Sequence, residues 1–227
     1  MINKFDIKLL VLLSIFPIIF YFITFNNYFY SDDYQLIIGI HLFNKINDQY
    51  FINFRDLLTL RSDGHFTPIM YYINNILPPN HKIFHTFIVF IFLISTYLTY
   101  FFLKLFDFDR RYCFFSALFF SLNISLLIKP LVWNTFHSHI TNYFTAIISF
   151  IFFYSLIRYK KKYISIVFFI LFGSLTVFNS ESGLIYYVIL PFLFYFFFKK
   201  KLKVRYYVIT LIPIFLYLSA VFFISFK

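Results

Sequence analysis

Residues able to do chemistry are scarce in this chain and fall in a few short polar stretches. Tyr30-Ser31-Asp32-Asp33-Tyr34 carries two adjacent carboxylates. Crowded like charges make one of the pair easier to protonate, which suits a general base accepting a hydroxyl proton. The same acids, in the first turn of a helix capped by Ser31, would complement the helix dipole with no other role. Arg61-Ser62-Asp63-Gly64-His65-Phe66-Thr67-Pro68 adds a cation and an imidazole, although Gly and Pro there equally mark a polar turn. Pro78-Pro79-Asn80-His81-Lys82 follows, with His85 just beyond it. Lys129 to His139 contributes a lysine that either meets a phosphate or ends a helix. His137 and His139, two residues apart, do not share a helix face, so a two-histidine metal site on one helix is not expected. Asn179-Ser180-Glu181-Ser182-Gly183 holds the single glutamate, on what reads otherwise as a solvated turn with Gly183 as a helix C-cap.

The elements that must position these residues are almost entirely apolar. Hydrophobic residues make up 61% of the chain, charged residues 13%, and mean hydropathy is +0.79, which excludes an ordinary soluble domain. A bilayer-crossing helix needs about 20 largely apolar residues. Seven runs qualify within a few residues: Leu9–Phe25, Ile83–Leu103, Tyr112–Ile128, Leu131–Ile157, Ile164–Phe178, Leu184–Phe198 and Tyr206–Phe226. The expected fold is therefore all-α, a polytopic membrane helix bundle of about seven spans forming one membrane domain over residues 1–227. The 40 Phe read as lipid-facing bulk, in a composition also rich in Ile, Tyr, Asn and Lys. The first run ends in Thr24-Phe25-Asn26-Asn27 without a small-x-small cleavage site, so an uncleaved anchor is expected. Residues 26–82 form the only long break, and within it Tyr34–Phe43, Asp56–Leu60 and His65–Leu77 read as short interfacial pieces.

Charge sets the expected sidedness. With the N-terminus in the cytoplasm, alternation of the spans places fourteen of the 20 Lys and Arg inside, in the stretches around Lys4 and Lys8, Lys104 to Arg111, Arg158 to Lys162, and Lys199 to Arg205. The outside keeps Lys45, Arg55, Arg61, Lys82, Lys129 and Lys227, together with Asp32, Asp33, Asp48, Asp56, Asp63 and Glu181. The net charge of +11 is thus a topology signal, and nucleic acid is not an expected partner. Four glycines leave no phosphate-cradling loop on the inner side. An acid as close to the bilayer as Glu181 is costly and suggests function.

This pattern resembles the GT-C superfamily of membrane glycosyltransferases, which includes protein O-mannosyltransferases and bacterial aminoarabinose transferases. Members share a first span followed by a large outer loop with an acidic pair near its start, matched here by Asp32-Asp33. Gly64-His65-Phe66-Thr67-Pro68-Ile69 and Pro79-Asn80-His81-Lys82-Ile83-Phe84-His85 look like a family aromatic-x-Pro segment and its later His. Val132-Trp133 is similar to a Trp-bearing fourth-span entry, and Ser180-Glu181-Ser182-Gly183-Leu184 to a Lys-Glu-small-small-Leu turn. Ser180 stands where the family has Lys. Full-length relatives carry helices beyond a seventh, so a minimal protein, an N-terminal module and a split gene all fit this length.

The resemblance implies transfer of a sugar from a polyprenyl-phosphate carrier to an acceptor hydroxyl on a glycan, lipid or protein, at the outer face of a bacterial inner membrane. It implies Asp32 or Asp33 as catalytic base. Arg61, Lys82 and Lys129 would meet the phosphate, and His65, His137 and Glu181 would bind substrate. Some members use a divalent metal; these residues do not require one. The rival expectations are a lipid-linked saccharide flippase or transporter, a polysaccharide polymerase, and a non-catalytic membrane protein. A transporter would place charges at mid-membrane and pair broken helices between repeats, and neither is apparent here.

Overall fold

A computed structural model describes residues 4–24, 68–123, 137–159, 162–198 and 203–225. The described residues are helical apart from short connections, in the order α1 (Lys4–Thr24), α2 (Pro68–Ile76), α3 (His81–Leu105), α4 (Arg110–Ser121), α5 (His137–Arg158), α6 (Lys162–Asn179), a single 3₁₀ turn (Glu181–Gly183), α7 (Leu184–Phe198) and α8 (Val204–Ser225). Each of the seven apolar runs carries a helix. Segments Ile7–Thr24, His81–Leu105, His137–Arg158 and Val204–Phe223 are long and apolar enough to cross a membrane; α6 and α7 are shorter apolar helices. Large side chains such as Phe22, Phe119, Phe196 and Phe223 stand outward, each at least 70% exposed. Four such helices with apolar outer faces make this a membrane protein.

The helices begin in polar residues that the hydropathy of the runs does not register. Pro78 and Pro79 bar a helix from continuing back through them, and Asn80 caps α3 by accepting the Lys82 amide at 2.9 Å. His81 and Lys82 are therefore the first turn of α3, two residues earlier than the apolar run suggests. At the other end Asp107 adopts φ 60°, a left-handed conformation that Asp tolerates better than most residues. Asp109 then caps α4 by accepting the Arg111 amide at 2.8 Å.

Two compact units divide the described residues. The first contains α1, α3, α4, the C-terminal part of α2 and the first turn of α5. Ser14 bonds Tyr97, and Tyr21 Oη lies 3.1 Å from Thr86 Oγ1, so α1 and α3 run antiparallel. Fully buried Leu13, Tyr100, Cys113 and Ala117 form the core where α1, α3 and α4 meet. Ser95, Thr96 and Thr99 on α3 return their hydroxyls to the carbonyls of Ile91, Phe92 and Ser95 at 2.7–2.9 Å, which satisfies them in a water-free setting.

The second unit contains the rest of α5 with α6, the 3₁₀ turn, α7 and α8. Ser149 donates to the Phe169 carbonyl at 3.1 Å, Thr176 to Thr145 at 2.8 Å, and Asn179 to Thr141 at 2.7 Å. These rungs make α5 and α6 antiparallel along their length. Helices α6 and α8 run parallel, with Gly173 against Pro213 and the Phe178 ring 5.6 Å from that of Tyr217. Phe153 of α5 packs edge-on against Phe194 of α7 and Tyr206 of α8, closing the other end.

Candidate functional site

Within each unit the antiparallel packing sorts charge to one end. In the first, α1 brings Lys8 toward the end of α3 that holds Lys104, with Arg110 and Arg111 opening α4. Lys104 Nζ lies 5.8 Å from the Tyr100 ring centroid. In the second, Arg158 closes α5 while Lys203 and Arg205 open α8. Arg158 sits over the Tyr154 and Tyr159 rings, and Arg205 lies 4.9 Å from the Tyr206 ring. These basic ends leave an opposite, mostly uncharged end in each unit, and that is where the described candidate residues lie.

In the first unit, Lys82 is exposed on the first turn of α3, held there by the Asn80 cap. His85 one turn on is fully buried, its ring edge-on to His81 with centroids 6.0 Å apart. His137 is fully buried, and its Nε2 lies 2.8 Å from Oδ1 of the equally buried Asn74 on α2. With the amide oxygen facing it, Nε2 is the nitrogen that donates. Phe84 and Phe87 enclose the imidazole, with ring centroids 6.3 and 6.0 Å away. This setting makes His137 a tie between α2, α3 and the start of α5 rather than a group open to substrate.

The second unit holds Glu181. Asn179 ends α6 and donates to both Thr141 Oγ1 at 2.7 Å and Asn142 Oδ1 at 2.6 Å. Asn142 in turn donates to Ser182 Oγ at 3.2 Å, and Ser180 and Ser182 hydroxyls lie 3.0 Å apart. The amide pair thus ties both shoulders of the Glu181 turn to α5. Tyr217 of α8, only 4% exposed, donates its hydroxyl to Glu181 Oε1 at 3.3 Å. Gly183 is no C-cap: it closes the 3₁₀ turn by donating its backbone N–H to the Ser180 carbonyl at 2.8 Å. It lies so close to α6 that a Cβ would overlap the Thr176 carbonyl. Gly is required here for close approach.

The outcome is a half-buried carboxylate on a turn locked to α5 by buried amides, with the Tyr217 hydroxyl bonded to it and the Ser180 and Ser182 hydroxyls on either side in the chain. A carboxylate that accepts, beside hydroxyls that both donate and accept, can bind a hydroxylated ligand. Among the described residues no group of three or more His, Cys, Asp or Glu could hold a metal ion. Asp32, Asp33, Arg61, His65 and Lys129 lie outside the described residues, as do Trp133 and the short helices expected at Tyr34–Phe43 and Asp56–Leu60.

Asn142 and Tyr217 are not apparent as partners of the Glu181 turn from their sequence neighbourhoods. One signal is legible: Thr141, Thr145 and Ser149 recur at every fourth position of α5, a polar stripe running into a stretch, Phe144 to Tyr154, that is otherwise apolar. Comparison with protein-family models, with curated proteins and with solved structures returns no match.

Proposed function

We propose that the protein is a membrane glycosyltransferase that moves a sugar from a polyprenyl-phosphate carrier to an acceptor hydroxyl on a glycan, lipid or protein. The observation that carries this reading is the Glu181 turn. Its carboxylate is hydrogen-bonded by Tyr217 and neighboured in the turn by the hydroxyls of Ser180 and Ser182, at the end of its unit remote from the cations. Such a group can accept from sugar hydroxyls, with the Ser182 hydroxyl exposed beside it and the buried Asn142 and Asn179 amides holding the turn in place. Lys82, exposed on the first turn of α3, is the described cation that the proposal assigns to the departing phosphate.

On this reading all seven apolar helices cross the bilayer of a bacterial inner membrane, the N-terminus and basic ends face the cytoplasm, and residues 26–82 lie outside. The acceptor oxygen attacks the anomeric carbon as the bond from that carbon to the phosphate oxygen breaks. The bonding electrons leave with the lipid phosphate, and the hydroxyl proton passes to Asp32 or Asp33. A base in that role contributes about 10²–10⁴ in rate. Arg61, Lys129 and His65 complete the donor site from the outer loops.

The test is sugar transfer by the purified chain in liposomes, with a labelled polyprenyl-phosphate sugar supplied on the outer side. Asp32→Asn or Asp33→Asn should reduce transfer by at least 100-fold at unchanged protein abundance. Full activity in both single variants would remove the proposed base.

A further inference from the structure

The second unit contains a feature that the sugar site does not use. A cavity of about 540 Å³ runs along its outer surface between α7 and α8. Its α7 wall is Tyr187, Val188, Pro191, Phe192, Tyr195 and Phe196, a stripe repeating at every fourth residue down one face. At 1.5 Å per residue that stripe is about 14 Å long, close to half the roughly 30 Å hydrocarbon core of a bilayer. The α8 wall is Tyr207, Thr210 and Leu211. Phe192 and Phe196 are exposed along its rim, whereas Tyr187 and Thr210 are fully buried at its base. Thr210 donates to the Tyr207 carbonyl at 2.8 Å, which leaves a nearly hydrocarbon lining. Pro191 cannot donate the helix hydrogen bond to the Tyr187 carbonyl, so α7 is intrinsically interrupted beside the groove.

Charge indicates the occupant. The groove ends toward the basic end of the unit. Lys203 immediately precedes α8, four positions before the lining Tyr207, and is exposed, and Arg205 near it is held over the Tyr206 ring. We propose that the groove is a retained-lipid site for an anionic phospholipid. One acyl chain would lie against Pro191 and Leu211, with its phosphate beside Lys203. The volume falls within the roughly 300–1,000 Å³ of small-molecule pockets. A neutral lipid would fill the apolar part equally well, so the cation is what discriminates. A lysine at a membrane surface favours an anionic headgroup by about fivefold.

The test is native mass spectrometry of the full chain, released from detergent in the presence of phosphatidylglycerol or phosphatidylcholine. Retention of one phosphatidylglycerol per chain at least fivefold above phosphatidylcholine is expected. Lys203→Gln should erase the preference while leaving retention of phosphatidylcholine unchanged, and Leu211→Trp, which fills the groove from its rim, should abolish retention of both. Lys203 is exposed, so the first variant keeps the proposal falsifiable even if the second fails to fold. Equal retention of the two lipids, a preference untouched by Lys203→Gln, or a dimer mass that Leu211→Trp dissociates would overturn it.

Discussion

Gly183→Ala is the sharpest perturbation of the Glu181 turn. An alanine Cβ at this position overlaps the carbonyl oxygen of Thr176, lies 2.9 Å from that carbonyl carbon and 3.1 Å from the Thr176 methyl. The first two atoms are backbone in the last turn of α6, where a shift would disturb the neighbouring rungs from Thr176 to Thr145 and from Asn179 to Asn142. Overpacking of this kind costs about 1–3 kcal/mol, a factor of about 5–150 in a folding equilibrium. Gly173→Ala supplies an internal standard. Its Cβ meets Pro213 Cγ at 2.7 Å and Tyr187 Oη at 3.2 Å, both side-chain atoms. Removing glycine from a helix interior also returns about 1 kcal/mol of helix propensity. The Pro213 ring must still give way to a Cβ at Gly173, so Gly173→Ala should be destabilised less than Gly183→Ala, in part because of the helix propensity it gains. Thr176→Ser, which removes the methyl but not the carbonyl, should fail to rescue Gly183→Ala. The assay is thermal unfolding of the detergent-purified chain followed by size-exclusion chromatography, with wild type alongside. Equal midpoints for Gly183→Ala and wild type, or a larger loss in Gly173→Ala, would refute the close approach of the turn to α6.

Two further predictions concern the same unit. Asn179→Leu removes two hydrogen bonds between α6 and α5, each worth about 0.6 kcal/mol and at most about 1.7 in a membrane bundle. It should lower stability by about 1–3 kcal/mol, and Tyr217→Phe, which removes one hydrogen bond to the half-buried carboxylate of Glu181, should cost about 1.5 kcal/mol in the same unfolding assay. Sidedness is testable by cysteine labelling in cells, because the single native Cys113 is fully buried. A membrane-impermeant thiol reagent should label Ser180→Cys from outside the cell and should not label Lys161→Cys. The reverse pattern would invert the topology.

Much of the helical order could be read directly from residue types. The apolar runs Leu184–Phe198 and Tyr206–Phe226 agree with α7 and α8 to within two residues at each end, because in a bilayer hydropathy alone decides which backbone must bond to itself. The starts of α3 and α6 extend beyond their runs, into His81 and Lys162, since a helix end seeks polar caps that hydropathy averages away. Partner choice between helices was not legible. Asn179 meets Thr141 and Asn142 rather than other polar groups because of register, and register depends on packing such as Gly173 against Pro213, separated by forty positions in the chain. Glu181 stood out as the only glutamate, but nothing near it in sequence names Tyr217 as the donor to its carboxylate. His137, an expected substrate ligand, is instead enclosed by Asn74, Phe84 and Phe87, which come together only once α2 and α3 are in place.

On the proposed function the Glu181 turn handles a sugar, and wild type and Glu181→Gln can be compared in liposomes, following transfer from a labelled polyprenyl-phosphate sugar and confirming equal thermal midpoints for the two. The isosteric amide keeps an acceptor for the Tyr217 hydroxyl but loses the charge, so folding should stay intact while transfer falls at least tenfold, about 1.4 kcal/mol of lost transition-state binding. Transfer unchanged in Glu181→Gln, or none by folded wild type, would contradict the proposal.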